Sequence, residues 1–208
     1  MTKGKIILLN GTSSSGKTVI AKALQEIMEG YYIHTGIDHY LERIPEKFHV
    51  ISDGKNPSAV EGILWVFPDS GQRLTELRLG PAAINLMKGM YHAVAALADE
   101  GNDLILDDVI FDPRALREAA NVLPAYNTLF VGVRCPLEVA KQREQERGDR
   151  TLGLVEAHYD IVHSHGIYDL EMDTSVFTPT ECASQIKDRL QNGPPPTAIQ
   201  KLRDTLFE

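Results

Sequence analysis

The sequence predicts an α/β fold of three layers, a parallel sheet with helices on both faces, and two observations carry that prediction. Short apolar runs alternate with helical patterns along most of the 208 residues, and such alternation builds parallel strands joined by crossover helices. The first run, Ile6-Ile7-Leu8-Leu9, leads straight into Gly11-Thr12-Ser13-Ser14-Ser15-Gly16-Lys17-Thr18. A glycine-framed segment of this kind connects a buried strand to a helix.

The elements follow in order. Residues 5–9 are mostly apolar, as a strand buried on both faces is. Residues 17–29 place Ile20, Ala23, Leu24 and Ile27 on one helical face. Residues 31–35 read as a second strand, and residues 38–44 as a helix start with Asp38 near the cap. In residues 49–80, an apolar run at 63–67, the turn residues Pro68-Asp69-Ser70-Gly71 and a weakly alternating run at 72–77 suggest a hairpin. Residues 81–99 form a long helix with Ile84, Met87, Met90, Tyr91, Val94 and Leu97 inward. Leu104-Ile105-Leu106 is another buried strand, and Asp112-Pro113 opens a helix with a capping side chain and a proline at its first position. A strand at 127–133 and a helix at 136–147 come next. Ser175-Val176-Phe177 reads as a last short strand. Thr178-Pro179-Thr180-Glu181 has the pattern of a capping box, and Gly193-Pro194-Pro195-Pro196 stops that helix. The organisation expected is one domain over residues 1–192, with a lid near 143–153 and a substrate-side insertion near 49–80. Residues 193–208 read as a proline-rich linker and a short amphipathic tail.

Composition narrows the classes. A 43% apolar content supports a sizeable core, and a formal net charge of −8 argues against nucleic acid or an anionic membrane as partner. No run approaches the roughly 20 apolar residues of a membrane span. Cys135 and Cys182 are far apart and lack metal-ligand spacing. They read as buried free thiols of a reducing, cytoplasmic compartment. The sequence leaves a homo-oligomer open.

The segment from Gly11 to Thr18 fits G-x-x-x-x-G-K-[ST]. Its glycines let the backbone curl so that successive N–H groups face phosphate oxygens, and the following helix adds its positive end. Gly11, Thr12, Ser13, Ser14, Ser15, Gly16, Lys17 and Thr18 are therefore the expected nucleotide-binding set. Lys17 would reach the β- and γ-phosphates, and the Thr18 hydroxyl would ligate Mg²⁺. The buried strand at 104–106 runs into Asp107-Asp108. A carboxylate at that strand end can serve the metal, Asp107 being the first choice and Asp108 the second. The nucleotide reads as ATP rather than GTP, because no Asn-Lys-x-Asp sequence occurs.

Asp38 lies just past the second strand, on the rim shared with the phosphate loop. It is either a general base for a substrate hydroxyl or merely a helix cap. Arg143, Arg147 and Arg150 cluster around Gly148-Asp149. They read either as a lid that neutralises phosphoryl charge or as a solvated helix end paired to Glu144 and Glu146. His158, His163 and His165 match no common zinc spacing and read as helix surface or pocket lining. Trp65, Phe67 and Tyr91 read as core or as the wall of an apolar pocket.

Taken together these residues resemble the chloramphenicol phosphotransferase family of P-loop kinases. The resemblance rests on Ile7 through Thr18, Gly36-Ile37-Asp38, Leu106-Asp107-Asp108-Val109, Gly132-Val133-Arg134-Cys135 continuing to Arg143 and Glu146-Arg147-Gly148-Asp149-Arg150, and the run from His165 to Thr174. It covers residues 5–190, with 49–80 departing from the pattern. It implies a nucleotide-kinase-like P-loop NTPase fold with a short lid. It also implies transfer of the ATP γ-phosphate to a primary hydroxyl of a small acceptor such as the antibiotic. Asp38 then takes the base role, and Arg143, Arg147 and Arg150 take nucleotide and lid roles. A kinase for another acceptor, such as a sugar nucleotide, and a nucleotide-dependent switch are the competing expectations.

Overall fold

The computed structural model describes residues 2–54, 60–68 and 71–207. Strands β1 (Ile6–Asn10), β2 (Tyr32–Gly36), β6 (Asp103–Asp108), β7 (Thr128–Arg134) and β8 (Leu170–Asp173) form one sheet, ordered β2-β6-β1-β7-β8. Every neighbouring pair in it is parallel. Alternation along β1 divides the core between two faces, because successive side chains point opposite ways. Ile6 and Leu8 face α3 (Pro81–Asp99), α4 (Pro113–Val122) and α8 (Ala198–Phe207), while Ile7 and Leu9 face α1 (Lys17–Ile27) and α7 (Pro179–Asn192). The expected three-layer α/β architecture is present.

A second sheet occupies part of the region that the sequence left least regular. Strands β3 (His49–Ser52), β4 (Ile63–Val66) and β5 (Glu76–Leu79) lie in that order. The antiparallel partner of β4 begins at Glu76, later than the run at 72–77 suggested, and Ile63 pairs with Leu79. A parallel strand, β3, joins the other edge, which no pattern in the sequence announced. Of the expected turn, Asp69 and Ser70 lie outside the described residues.

Three further expectations need correction. Ser175-Val176-Phe177 is not a strand; β8 ends at Asp173, and Val176 is 68% exposed. The N–H groups of Val176 and Phe177 both reach the Asp173 carbonyl, so this apolar triplet is a turn. Leu97 is 38% exposed, and Ala98 takes the inward place at that end of α3. The C-terminal tail is a helix whose Ala198, Ile199 and Leu202 are buried in the same core as α3 and α4.

The capping signals hold. Asp112 accepts from the Arg114 N–H, and Thr178 with Glu181 forms a complete capping box. Cys135 and Cys182 are buried free thiols. No helix among the described residues is long and apolar enough to cross a membrane.

Candidate active site

The C-terminal ends of β1, β2 and β6 lie on one rim, because the register pairs Asn10 with Asp108 and Gly36 with Asp107. The phosphate loop leaves β1 there. Gly11 is required by close approach, since a Cβ would lie 2.4 Å from the Val133 carbonyl oxygen. Gly16 has φ of 96° and Ser14 of 58°, so the loop turns through the left-handed region before α1 begins at Lys17. Thr12, Ser13 and Ser15 are buried. The Ser14 and Ser15 hydroxyl oxygens are buried without a partner among the described residues. Orphaned hydroxyls beside a helix N-terminus suit an incoming anion. Lys17 Nζ donates to the Gly11 and Thr12 carbonyls at 2.9 Å. Burial lowers its pKa, against the pull of Asp107, Asp38 and Asp108.

Thr18 and Asp107 meet directly, the hydroxyl donating to the carboxylate at 2.9 Å. His34 Nε2 lies 3.0 Å from the same oxygen. Burial works to raise the Asp107 carboxyl, but His34, Lys17 and Thr18 together hold it below the ordinary range. Gly36 permits this approach, since a Cβ would sit 2.3 Å from Asp107 Oδ1. Asp108 turns the other way. It accepts from the Tyr91 hydroxyl at 2.6 Å and from the Val109 N–H, and burial raises its pKa to about 6. The two neighbouring carboxylates are thus unlike: Asp107 faces the loop, and Asp108 is buried in a hydrogen-bonded core position. Tyr91 belongs to that core rather than to a pocket wall.

Asp38 lies in α2 (Ile37–Leu41), which Gly36 caps. Its carboxylate is not a cap but accepts from Arg150 Nη2 at 2.5 Å, with side chains 45% and 26% exposed. Arg150 is carried by the turn between α5 (Leu137–Arg147) and α6 (Leu154–Val162). Glu144 and Glu146 do not pair with the arginines as the helix-end reading expected. Glu144 is 1% exposed and accepts the N–H groups of Gly153 and Val155 at 2.8 Å, capping α6, while Glu146 accepts from Gln142. The Thr12 hydroxyl donates to the Val155 carbonyl, and the Asn10 amide to the Val162 carbonyl, so α6 is also tied to the phosphate loop.

Two cavities open on this loop. The first, about 250 Å³, is lined by Lys17, Thr18, Asp38, Asp107, Arg147, Arg150 and a broad apolar wall. Ile37, Leu41, Ile63, Trp65, Leu77, Val109, Phe111 and Leu154 form that wall. The second sheet therefore supplies one side, and Trp65 lines the cavity where Phe67 and Tyr91 do not. The second cavity, about 400 Å³, lies against Ile20, Arg143, Glu146, Thr174, Phe177 and Pro179. Ser14, Gly16, Val19 and Arg147 line both. Arg143 faces only the second; it donates to the Thr174 hydroxyl and carbonyl, and Thr174 in turn donates to the Ser15 carbonyl. Arg147 pairs with exposed Asp149 at 3.1 Å. No cluster of three metal-ligating side chains occurs among the described residues.

Sequence reasoning missed Asn10, His34 and Thr174, which come together through folding alone, and took Glu144 only as an ion-pair partner; His158 lines the first cavity, as its pocket-lining reading allowed.

The sequence model of the family described as "Chloramphenicol phosphotransferase-like protein" matches residues 4–191, including the second sheet. Two strains of Mycobacterium tuberculosis carry a relative, each called a "putative O-phosphotransferase". It is 33% identical over 210 residues, covering 98% of this chain and 89% of the relative. Among solved structures, the Mycobacterium tuberculosis APS kinase in complex with AMPPNP and APS aligns with a TM-score of 0.59 at 15% identity, over 92% of this chain and 100% of that one. Shikimate kinase from Acinetobacter baumannii, in complex with shikimate, aligns with a TM-score of 0.55 at 13% identity, over 90% and 92%. These likenesses are of fold.

Proposed function

The chain belongs to the chloramphenicol phosphotransferase-like family and is a phosphotransferase acting on a hydroxyl acceptor; on that premise we propose that it moves the γ-phosphate of ATP to an uncharged, largely apolar alcohol held in the first cavity. One observation carries this reading: Asp38, Lys17, Thr18 and Asp107 line the same 250 Å³ cavity as nine apolar side chains. The cations among its described lining residues, Lys17, Arg147 and Arg150, all belong to the phosphate loop and the lid. The acceptor half thus offers apolar contact rather than a second anion site, which favours an antibiotic-like alcohol over a sugar nucleotide.

The second cavity, reached past Arg143 and Val19, suits the nucleoside end of ATP. Gly11 to Thr18 would cradle its phosphates. Thr18 and Asp107 would hold Mg²⁺, which when bound neutralises phosphate charge. Asp38 accepts the proton of the acceptor hydroxyl, and Arg150 orients that carboxylate. Arg147, which lines both cavities, is placed to offset charge that develops between them. Arg143 supports the loop through Thr174. The acceptor is tested by incubating the protein with labelled ATP and a panel spanning chloramphenicol, simple aryl alcohols, sugars and a nucleoside-diphosphate sugar. Phosphate gain is read by mass. Transfer to apolar alcohols supports the reading; transfer confined to the sugar nucleotide overturns it.

A further inference from the structure

His158 lines the first cavity without a part in the chemistry above. It lies on α6, is 4% exposed, and neither ring nitrogen has a hydrogen-bond partner among the described residues. Its ring stacks on Phe111 at 4.0 Å with the planes 17° apart, and Phe111 lines the same cavity. Stacking fixes the plane of the ring but satisfies neither nitrogen, because imidazole hydrogen bonds run from the ring edge. A histidine buried only for packing finds a partner, since an unpaired buried polar group is costly. The neighbouring histidines each find one: His163 Nδ1 meets the Tyr168 hydroxyl at 2.6 Å, and His165 Nδ1 accepts from the Ile167 N–H at 3.2 Å, although His165 Nε2 is likewise buried without a partner among the described residues. His158 alone of the three borders the cavity; both its nitrogens are covered, so an occupant would meet them as the ring edge turns toward it.

Burial, with Lys17 nearby, pushes the His158 pKa down to about 4. The ring is therefore neutral near pH 7 and presents one N–H donor and one bare nitrogen. That pairing suits a hydroxyl or amide rather than an anion. We propose that His158 is a specificity-determining residue that reads a second, uncharged polar group on the acceptor, distinct from the hydroxyl that receives the phosphate. The inference rests on the apolar-alcohol reading of the cavity.

Trp65, the single tryptophan of the chain, lines the same cavity and gives a fluorescence readout of acceptor binding. The probes are 3-phenyl-1-propanol and 1-phenyl-1,3-propanediol, which differ by one hydroxyl, titrated into wild type, His158→Phe and His158→Gln, with ATP affinity measured alongside. Phenylalanine keeps the stack and removes the polar edge; glutamine restores a donor and an acceptor. Wild type is expected to bind the diol roughly tenfold tighter than the mono-alcohol, the effect of one added hydrogen bond. His158→Phe should bind both alike, with mono-alcohol and ATP affinity unchanged, and His158→Gln should recover part of the preference. Equal binding of the two probes to wild type overturns the proposal, as does a preference that survives in His158→Phe. Equal loss of both probes in that variant makes His158 a packing residue and also overturns it. If neither probe binds wild type while ATP does, the apolar-alcohol reading has failed and this inference falls with it.

Discussion

Asp38 is held by Arg150 of the α5–α6 turn, and that single contact distinguishes it from a helix cap, the alternative equally open to the sequence. In the base role proposed for it, Asp38 would contribute to transfer and little to the binding of ATP. Asp38→Asn is therefore expected to lower turnover on the order of 10²- to 10⁴-fold while leaving ATP affinity within about twofold. Mass-detected phosphotransfer and a separate nucleotide titration check the two halves. Retained transfer would remove Asp38 from the base role. A second residue-scale expectation concerns pH. Burial brings His158, His163 and His165 each to about 4 from an ordinary 6.5. Their folded pKa values lie below the unfolded one, so the unfolded chain binds more protons between these limits. The stability linked to them is fully present above about pH 6.5 and is lost as pH falls towards 4. For His158, the most buried, the linked term is on the order of 3 kcal/mol. Thermal melts from pH 7 to pH 4 should show this fall, and His158→Phe should make it shallower by the His158 share while His163 and His165 keep theirs.

At the scale of elements, the turn between α5 and α6 depends on one buried acid. Glu144 accepts from Gly153 and Val155, fixing the start of α6 and with it the turn that carries Arg150. Glu144→Ala leaves two amides at the α6 start without their partner, a change expected to cost on the order of 2–4 kcal/mol. Because that turn carries Arg150, turnover should fall more steeply than ATP affinity. Glu144→Gln, which keeps an acceptor oxygen, should recover part of both. A variant with lowered melting temperature but normal turnover would leave Glu144 a stability residue only. This element also shows where the sequence was readable. The phosphate loop, β1, β6 and α3 obey local rules of glycine spacing, apolar runs and helical period, so they were legible. The second sheet was legible only in part: the apolar run at 63–67 and the turn residues after it announced β4 and an antiparallel partner, but β3 gains its place only by pairing with β4. The triplet Ser175-Val176-Phe177 misled for the converse reason: its residues suit a strand, but Asp173 draws both following amides into a turn. Asp38, Asp107 and the arginines could be listed from sequence; that Asp107 faces Thr18 while Asp108 faces Tyr91 depends on how the strand end meets α3.

For the whole molecule, the question is whether residues past the family match belong to the fold. The match ends at residue 191, yet α8 follows and packs on α4 and β7. Ile199 and Leu202 are each 2% exposed. The approach is fixed by Asp169, whose carboxylate accepts from the N–H groups of Thr197, Ala198 and Phe130. Asp169 thus ties the tail to the sheet beside β8. Burying two large aliphatic side chains contributes roughly 3–6 kcal/mol, a large share of the 5–15 kcal/mol typical of folded proteins. Truncation after Asn192 should therefore lower the melting temperature steeply, and Ile199→Ala with Leu202→Ala should reproduce most of the loss. The phosphate loop leaves the C-terminal end of β1 and is tied to α6 and Thr174 rather than to α8, so ATP should still raise the melting point of the truncated chain. A truncated protein that melts like the full chain would show that α8 contributes nothing to the core. One that melts low and no longer responds to ATP would mean that the tail holds the nucleotide site through β7 and β8 as well as the core beneath it.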